Sequence, residues 1–141
     1  MVEFVKAEQR DLPLLFNLNR ELIENYEDLT AIDLPRVLHW VAQNLEAHLG
    51  DFRRILYDGD LAGFFCLSDG EIDSLFILPP FRGRGIGTQV IRYCQENAPS
   101  LLLYVFKKNT GAVNLYHRMG FQITKEAGTT RYIMEWKNQN L

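Results

Sequence analysis

The chain has 141 residues, 47% of them hydrophobic and 23% charged, with a formal net charge of −3. That length suits one domain whose core needs no disulfide or metal staple, and the charge balance excludes a global attraction to nucleic acid or to an anionic membrane. No apolar run reaches the length of a membrane span and the opening MVEFVKAEQRD has no signal-peptide core, so the expectation is a cytoplasmic protein.

In chain order, VEFVKA predicts a short opening strand. LPLLFNLNRELIENY repeats Leu15, Leu18, Leu22 and Tyr26 at helical spacing. A second helix follows Pro35, with Val37, Leu38, Val41 and Leu45 on one face. FRRILYDGDLAGFFCLSD reads as a hairpin, turning at Asp58-Gly59-Asp60. EIDSLFIL is a further strand, in which strict alternation puts Glu71 and Asp73 on one face with Leu75 and Ile77.

IGTQVIRYCQENAP is a helix with Ile86, Val90, Ile91 and Cys94 as its apolar stripe, stopped by Pro99. LLLYVF (101–106) is apolar at both parities, which predicts cover on both faces. A short helix carries Ala112, Leu115, Tyr116 and Met119, and FQITKE and TRYIMEW close the chain as a strand pair. The order βααβββαβαββ describes a single α/β (α+β) domain over residues 1–141, with a mixed, largely antiparallel sheet flanked by helices. Cys66 and Cys94 are isolated and the three histidines are scattered, so reduced thiols and no metal are expected.

PPFRGRGIG (79–87) lies between a predicted strand and a predicted helix. The first N–H groups of a helix lack intrahelical partners and carry partial positive charge, which suits phosphate oxygens. Gly83, Gly85 and Gly87 keep side chains away from those amides, while Arg82 and Arg84 add positive charge. A P-loop would require GK[ST] after the glycines, and a dinucleotide turn would require a third glycine and a later acid. GRGIGT satisfies neither.

The pattern that fits is R-x-x-G-x-G, from Arg82 to Gly87. It resembles the pyrophosphate-binding loop of the GNAT superfamily of N-acetyltransferases. NTGAVNLYHRMGF strengthens the resemblance by placing Asn109, Ala112, Leu115, Tyr116, Gly120 and Phe121 at the spacing of that family's N-x-x-A-x-x-L-Y-x-x-x-G-F segment. The likeness covers the chain in element order and is sharpest over residues 72–121.

The resemblance implies a GNAT-type acyl-CoA fold that binds acetyl-CoA as co-substrate and transfers acetyl to a primary amine. It implies that the loop residues Arg82 and Gly83, with the amides of Arg84, Gly85, Ile86, Gly87 and Thr88, hold the pyrophosphate. Two parallel strands, 71–78 and 101–106, should splay to admit the pantetheine. The thioester then lies along Leu75, Phe76 and Ile77, with the Ile77 N–H as the candidate to polarise the carbonyl. Asp73 or Glu71 is the candidate general base, and Tyr116 the candidate general acid that also lies beside the coenzyme. Asn109 is either a coenzyme contact or the cap of its helix.

The acceptor, a small molecule or a peptide, is implied to lie near the first two helices. There Glu21, Glu24, Glu27, Asp28 and Asp33 are either a lure for a cation or a solvated face, and Tyr26 and Trp40 are either walls or core. His117 and Arg118 are expected on a solvated face. A homodimer is compatible with the family. The competing readings are a non-catalytic acetyl-CoA-binding regulatory module and an acetylase of charged tRNA, the latter disfavoured by the acidic balance.

Overall fold

The computed structural model describes residues 1–140. Seven strands form one sheet: β1 (Val2–Lys6), β2 (Phe52–Tyr57), β3 (Asp60–Ser68), β4 (Glu71–Ile77), β5 (Ser100–Phe106), β6 (Gln122–Ala127) and β7 (Arg131–Lys137). Four helices flank it: α1 (Leu12–Tyr26), α2 (Leu34–Ala47), α3 (Ile86–Glu96) and α4 (Thr110–Arg118). The spatial order is β1-β2-β3-β4-β5-β7-β6, antiparallel at every joint except β4–β5. Both the element order and the mixed sheet match the expectation from sequence.

Local chemistry accounts for the element ends. Pro13 and Pro35 stand in the first turns of α1 and α2, where a missing N–H costs nothing. The Asp33 carboxylate caps α2 by accepting from the Arg36 N–H at 3.3 Å. Asp58 and Gly59, both at positive φ, make the two-residue turn between β2 and β3.

Two apolar layers cover the two faces of the sheet. On one, Ile86, Val90, Ile91 and Cys94 of α3 pack with Leu101, Leu103 and Val105 of β5 and with Tyr116 of α4. On the other, Leu15 of α1 and Val41 and Leu45 of α2 pack against Phe52, Phe64 and Cys66. The α3 stripe is buried whole, whereas of the predicted stripes only Leu15 of α1, Val41 and Leu45 of α2 and Tyr116 of α4 are fully buried. The expectation of full cover for residues 101–106 fails on the second face, because Tyr104 is 45% exposed.

A second correction concerns β4. Leu67 pairs with Ile72, but Cys66 pairs with Ser74, so Asp73 is the extra residue of a β-bulge. The bulge shifts the alternation by one. Glu71 therefore faces the α1–α2 side, with Ser74 and Phe76, while Leu75 and Ile77 turn to the α3 side. Glu71 and Asp73 do not share a face with Leu75 and Ile77, because simple alternation holds only in an unbulged strand.

Candidate active site

The parallel joint between β4 and β5 holds at one register pair, Glu71 with Leu102, supported by the Leu102 N–H donating to Gly70 at 2.9 Å. Beyond it the strands part. A cleft of about 620 Å³ opens there, bounded by β4, β5, α1, α2 and the start of α4.

The parting leaves backbone groups unpaired in the cleft wall. The Leu78 N–H donates to Ala62 of β3 at 2.7 Å, so alternation turns the N–H and carbonyl of Ile77 the other way, towards the parting. The Ile77 carbonyl accepts from Arg82 Nε at 3.0 Å. Arg82 thus braces the end of β4 and leaves the Ile77 N–H turned towards the parting.

At that end the chain makes a short 3₁₀ turn (Pro79–Phe81) and enters α3 through the glycine loop. Gly85 is the N-cap of α3 at φ 76°, in the left-handed region, and no side chain caps the helix. A Cβ at Gly83 or Gly85 would meet nothing within 4 Å, so open space lies over bare amides. The Arg84 guanidinium rests over the rings of Tyr57 and Phe81, at 5.2 and 5.4 Å. Uncapped amides, free approach and a held cation fit a phosphate-bearing group at this helix end. Gly87 differs from its neighbours. A Cβ there would press on Leu115 of α4 at 3.2 Å, so this glycine serves the packing of α3 against α4.

The carboxylates stand at the other end of the parting. Glu71 and Asp73 both line the cleft. Burial first, and then the negative charge of Asp73 beside it, raise the Glu71 carboxyl above the usual glutamate range. Across from them Tyr116, 8% exposed, lines the cleft from α4, with its ring 5.8 Å from that of Phe121. Burial, with the Cys94 thiol beside it, pushes its phenol up to about 12. Tyr116 therefore keeps its proton at neutral pH.

Asn109 also lines the cleft, and its side chain accepts from the Ala112 N–H at 3.4 Å as the cap of α4. Thr88 and Ile86 sit in the first turn of α3, with Ile86 in the core. Burial pushes both thiols, Cys66 and Cys94, up to about 12, so neither is a thiolate at neutral pH. Among the described residues no group of His, Cys, Asp and Glu gathers to hold a metal ion, and no helix is long and apolar enough to cross a membrane.

The acids of the α1–α2 segment mostly have local work. Glu24 pairs with Arg20, Asp28 accepts from Thr30 and Asp33 caps α2, while Glu27 lines the cleft. Trp40 is a wall, 62% exposed and lining the cleft, whereas Tyr26 packs 6.3 Å from Phe106. His117 is exposed yet closes α4 by contacting the Phe121 carbonyl at 3.2 Å. Tyr104 and Arg131 were not singled out in the sequence. Both line the cleft, with the Arg131 guanidinium 5.3 Å from the Tyr104 ring. No local pattern marks them, because β7 reaches β5 only through the sheet.

The model of the acetyltransferase (GNAT) family matches residues 12–121. Over 85 residues the chain is 35% identical to the peptidyl-lysine N-acetyltransferase YiaC of Escherichia coli, covering 56% of this chain and 58% of that protein. Over 107 residues it is 33% identical to the peptidyl-lysine N-acetyltransferase YjaB of the same organism, covering 76% of this chain and 65% of that one. The chain thus spans less than two thirds of the length of these relatives. Its fold superposes with a TM-score of 0.67 on the PaiA N-acetyltransferase of Thermoplasma acidophilum, solved with coenzyme A, at 20% identity over 98% of this chain and 99% of that one. A family match across most of the chain, with a superposable fold and a parted β4–β5 joint beside a bare helix end, establishes that this chain belongs to the acetyltransferase (GNAT) family.

Proposed function

We propose that the protein is an acetyl-CoA-dependent N-acetyltransferase whose acceptor is a primary amine. The observation that carries the reading is the parting of β4 from β5 between a phosphate-fitting helix end and a carboxylate pair faced by a buried phenol. Acetyl-CoA, when bound, supplies an acetyl thioester. Arg84 and the α3 amides would hold its pyrophosphate, and the cleft edge of β4 its pantetheine.

The chain's own residues answer the proton problems. An alkyl amine with a pKa near 10.4 is neutral in only about one molecule in 2,500 at pH 7, a deficit of roughly 4.6 kcal/mol. Glu71, its carboxyl raised above the usual glutamate range and lining the cleft beside Asp73, would take the proton that the amine must lose. Tyr116 holds a proton that it can return to the departing sulfur. The Ile77 N–H, unpaired within the sheet, can donate to the acetyl carbonyl oxygen as negative charge grows on it. With both thiols protonated and buried, direct attack by the amine needs no acyl-cysteine step.

The test is coenzyme A release from acetyl-CoA across an amine panel that includes lysine peptides, polyamines and amino acids, with the acetylated product identified by mass. Acceptor-dependent release supports the reading. Coenzyme binding without transfer to any amine would favour the regulatory module instead.

A further inference from the structure

The helix α4 has nine residues, and a helix that short does not hold its shape without outside contacts. Its last turn carries Tyr116 and ends in a closed motif around Gly120, which follows the C-cap Met119 at φ 91°. The Phe121 N–H donates to the Tyr116 carbonyl and the Gly120 N–H to that of His117, each at 3.0 Å. The Met119 carbonyl lies outside this motif. It accepts instead from the side-chain amide of Gln95, in the last turn of α3, at 2.7 Å.

That bond joins residues 24 apart in the chain, and among the described residues no other hydrogen bond links α3 to α4 or to its cap. Gln95 is half-buried and belongs to neither apolar layer, so the core does not require this side chain. Its neighbour Cys94 is the residue whose thiol stands beside the Tyr116 phenol. Near the start of α3, Gly87 lets α4 come close, since a Cβ there would lie 3.2 Å from Leu115. The two contacts are about 12 Å apart along α3. Tyr116 lies in the chain between Leu115 and Met119, the two residues they hold.

We propose that Gln95 is a positioning residue for the proton donor: its bond to Met119 fixes the last turn of α4 against α3, and so the place of the Tyr116 hydroxyl in the cleft. The helix whose uncapped start fits a pyrophosphate then also sets where the phenol stands. The proposal rests on the reading of Tyr116 as the proton donor. Gln95 itself touches no reacting atom. Without its bond the Tyr116 ring stays in the core while the hydroxyl is slightly misplaced, which proton transfer feels and coenzyme binding does not.

The test joins kinetics to a readout that needs no turnover. Gln95→Glu keeps the shape of the side chain but, ionised, has no proton to donate, and Gln95→Ala withdraws the group. Each is expected to lower kcat about tenfold, with KM for acetyl-CoA within about twofold of the parent. Gln95→Lys returns a donor to the helix end and is expected to recover most of the loss. In the Tyr116→Phe background the Gln95 changes are expected to cost about twofold or less, since no phenol is left to place. Thermal melts check that each variant folds. In fluorotyrosine-labelled protein, the fluorine resonance of Tyr116, assigned by its loss in Tyr116→Phe, is expected to move in Gln95→Glu and to return in Gln95→Lys. Unchanged rates in both Gln95→Glu and Gln95→Ala, a full tenfold loss in the Tyr116→Phe background, or an unmoved resonance would overturn the role. A moved resonance in a protein that acetylates no amine sinks the transferase reading alone. Acetylation with additive losses sinks the positioning role alone.

Discussion

Glu71 and Phe76 stand on the same face of β4 although their numbers differ in parity, because Asp73 bulges out between them. The bulge brings Glu71 and Asp73 to the α2 side, where Trp40 and the cleft lie. It also turns Leu75 and Ile77 towards the core beneath α3. One inserted residue separates the strand's carboxylates from its packed side chains.

The raised Glu71 carboxyl has consequences for pH. Its protonated form persists above the ordinary glutamate range, so the acid limb of kcat/KM is expected at a higher pH than a free glutamate would give. Asp73→Asn removes the second cause of the elevation and is expected to move that limb to lower pH. Glu71→Gln is expected to lower kcat about 10²-fold. A group raised in the folded state stabilises it below the unfolded pKa and loses that contribution as pH rises through the folded pKa. Glu71→Gln should therefore melt no lower than the parent at pH 8 while turning over more slowly. Rate profiles and thermal melts check both, and a limb unmoved by Asp73→Asn would dissolve the carboxyl coupling.

Tyr116→Phe keeps the ring that packs 5.8 Å from Phe121 and removes only the phenol proton. The expected result is a loss of about 10²-fold in kcat with nearly unchanged affinity for coenzyme A. Calorimetry and steady-state rates separate the two. Equal losses in both would make the hydroxyl a binding or structural group.

The glycines of the α3 loop should divide by role. Gly85→Asp puts a negative charge and a strained φ at the bare helix end, so coenzyme affinity is expected to fall at least about tenfold. Gly87→Ala lies within the helix and meets only the side-chain tip of Leu115, so stability is expected to stay within about 1 kcal/mol of the parent. Unchanged affinity in Gly85→Asp would remove the phosphate assignment from this loop.

Gly63 is a stability test independent of function. A Cβ at Gly63 of β3 would drive into the backbone carbonyl of Phe76 on β4, which cannot swing aside as a side chain can. Gly63→Ala is expected to cost about 2–3 kcal/mol or more, a fall in melting temperature of roughly 5–10 °C. A melt within one degree of the parent would show that the strand pair can yield there.

Much of this was legible in the residues. The stripe of Ile86, Val90, Ile91 and Cys94 faces the core as its spacing required, since a helix buries one face whatever it packs against. The Asp58-Gly59 turn, the Asn109 cap and the strand–glycine–helix passage are likewise local chemistry. Tyr104 ran against expectation because a run apolar at both parities does not reveal where neighbouring strands part. Trp40 was undecided between wall and core, since its place on α2 is local but its neighbours are not.

By itself the sequence determined the succession of elements, the buried helix faces, the bare helix end and the family motifs, because each depends on residues within a turn or two of one another. Only the tertiary structure decided which face of β4 carries Glu71, that Gly87 packs against Leu115, and that Trp40, Glu71, Asp73 and Tyr116 line one cleft. The reason is physical. A bulge is defined by the register of the partner strand, and a cavity by side chains brought from segments far apart in the chain.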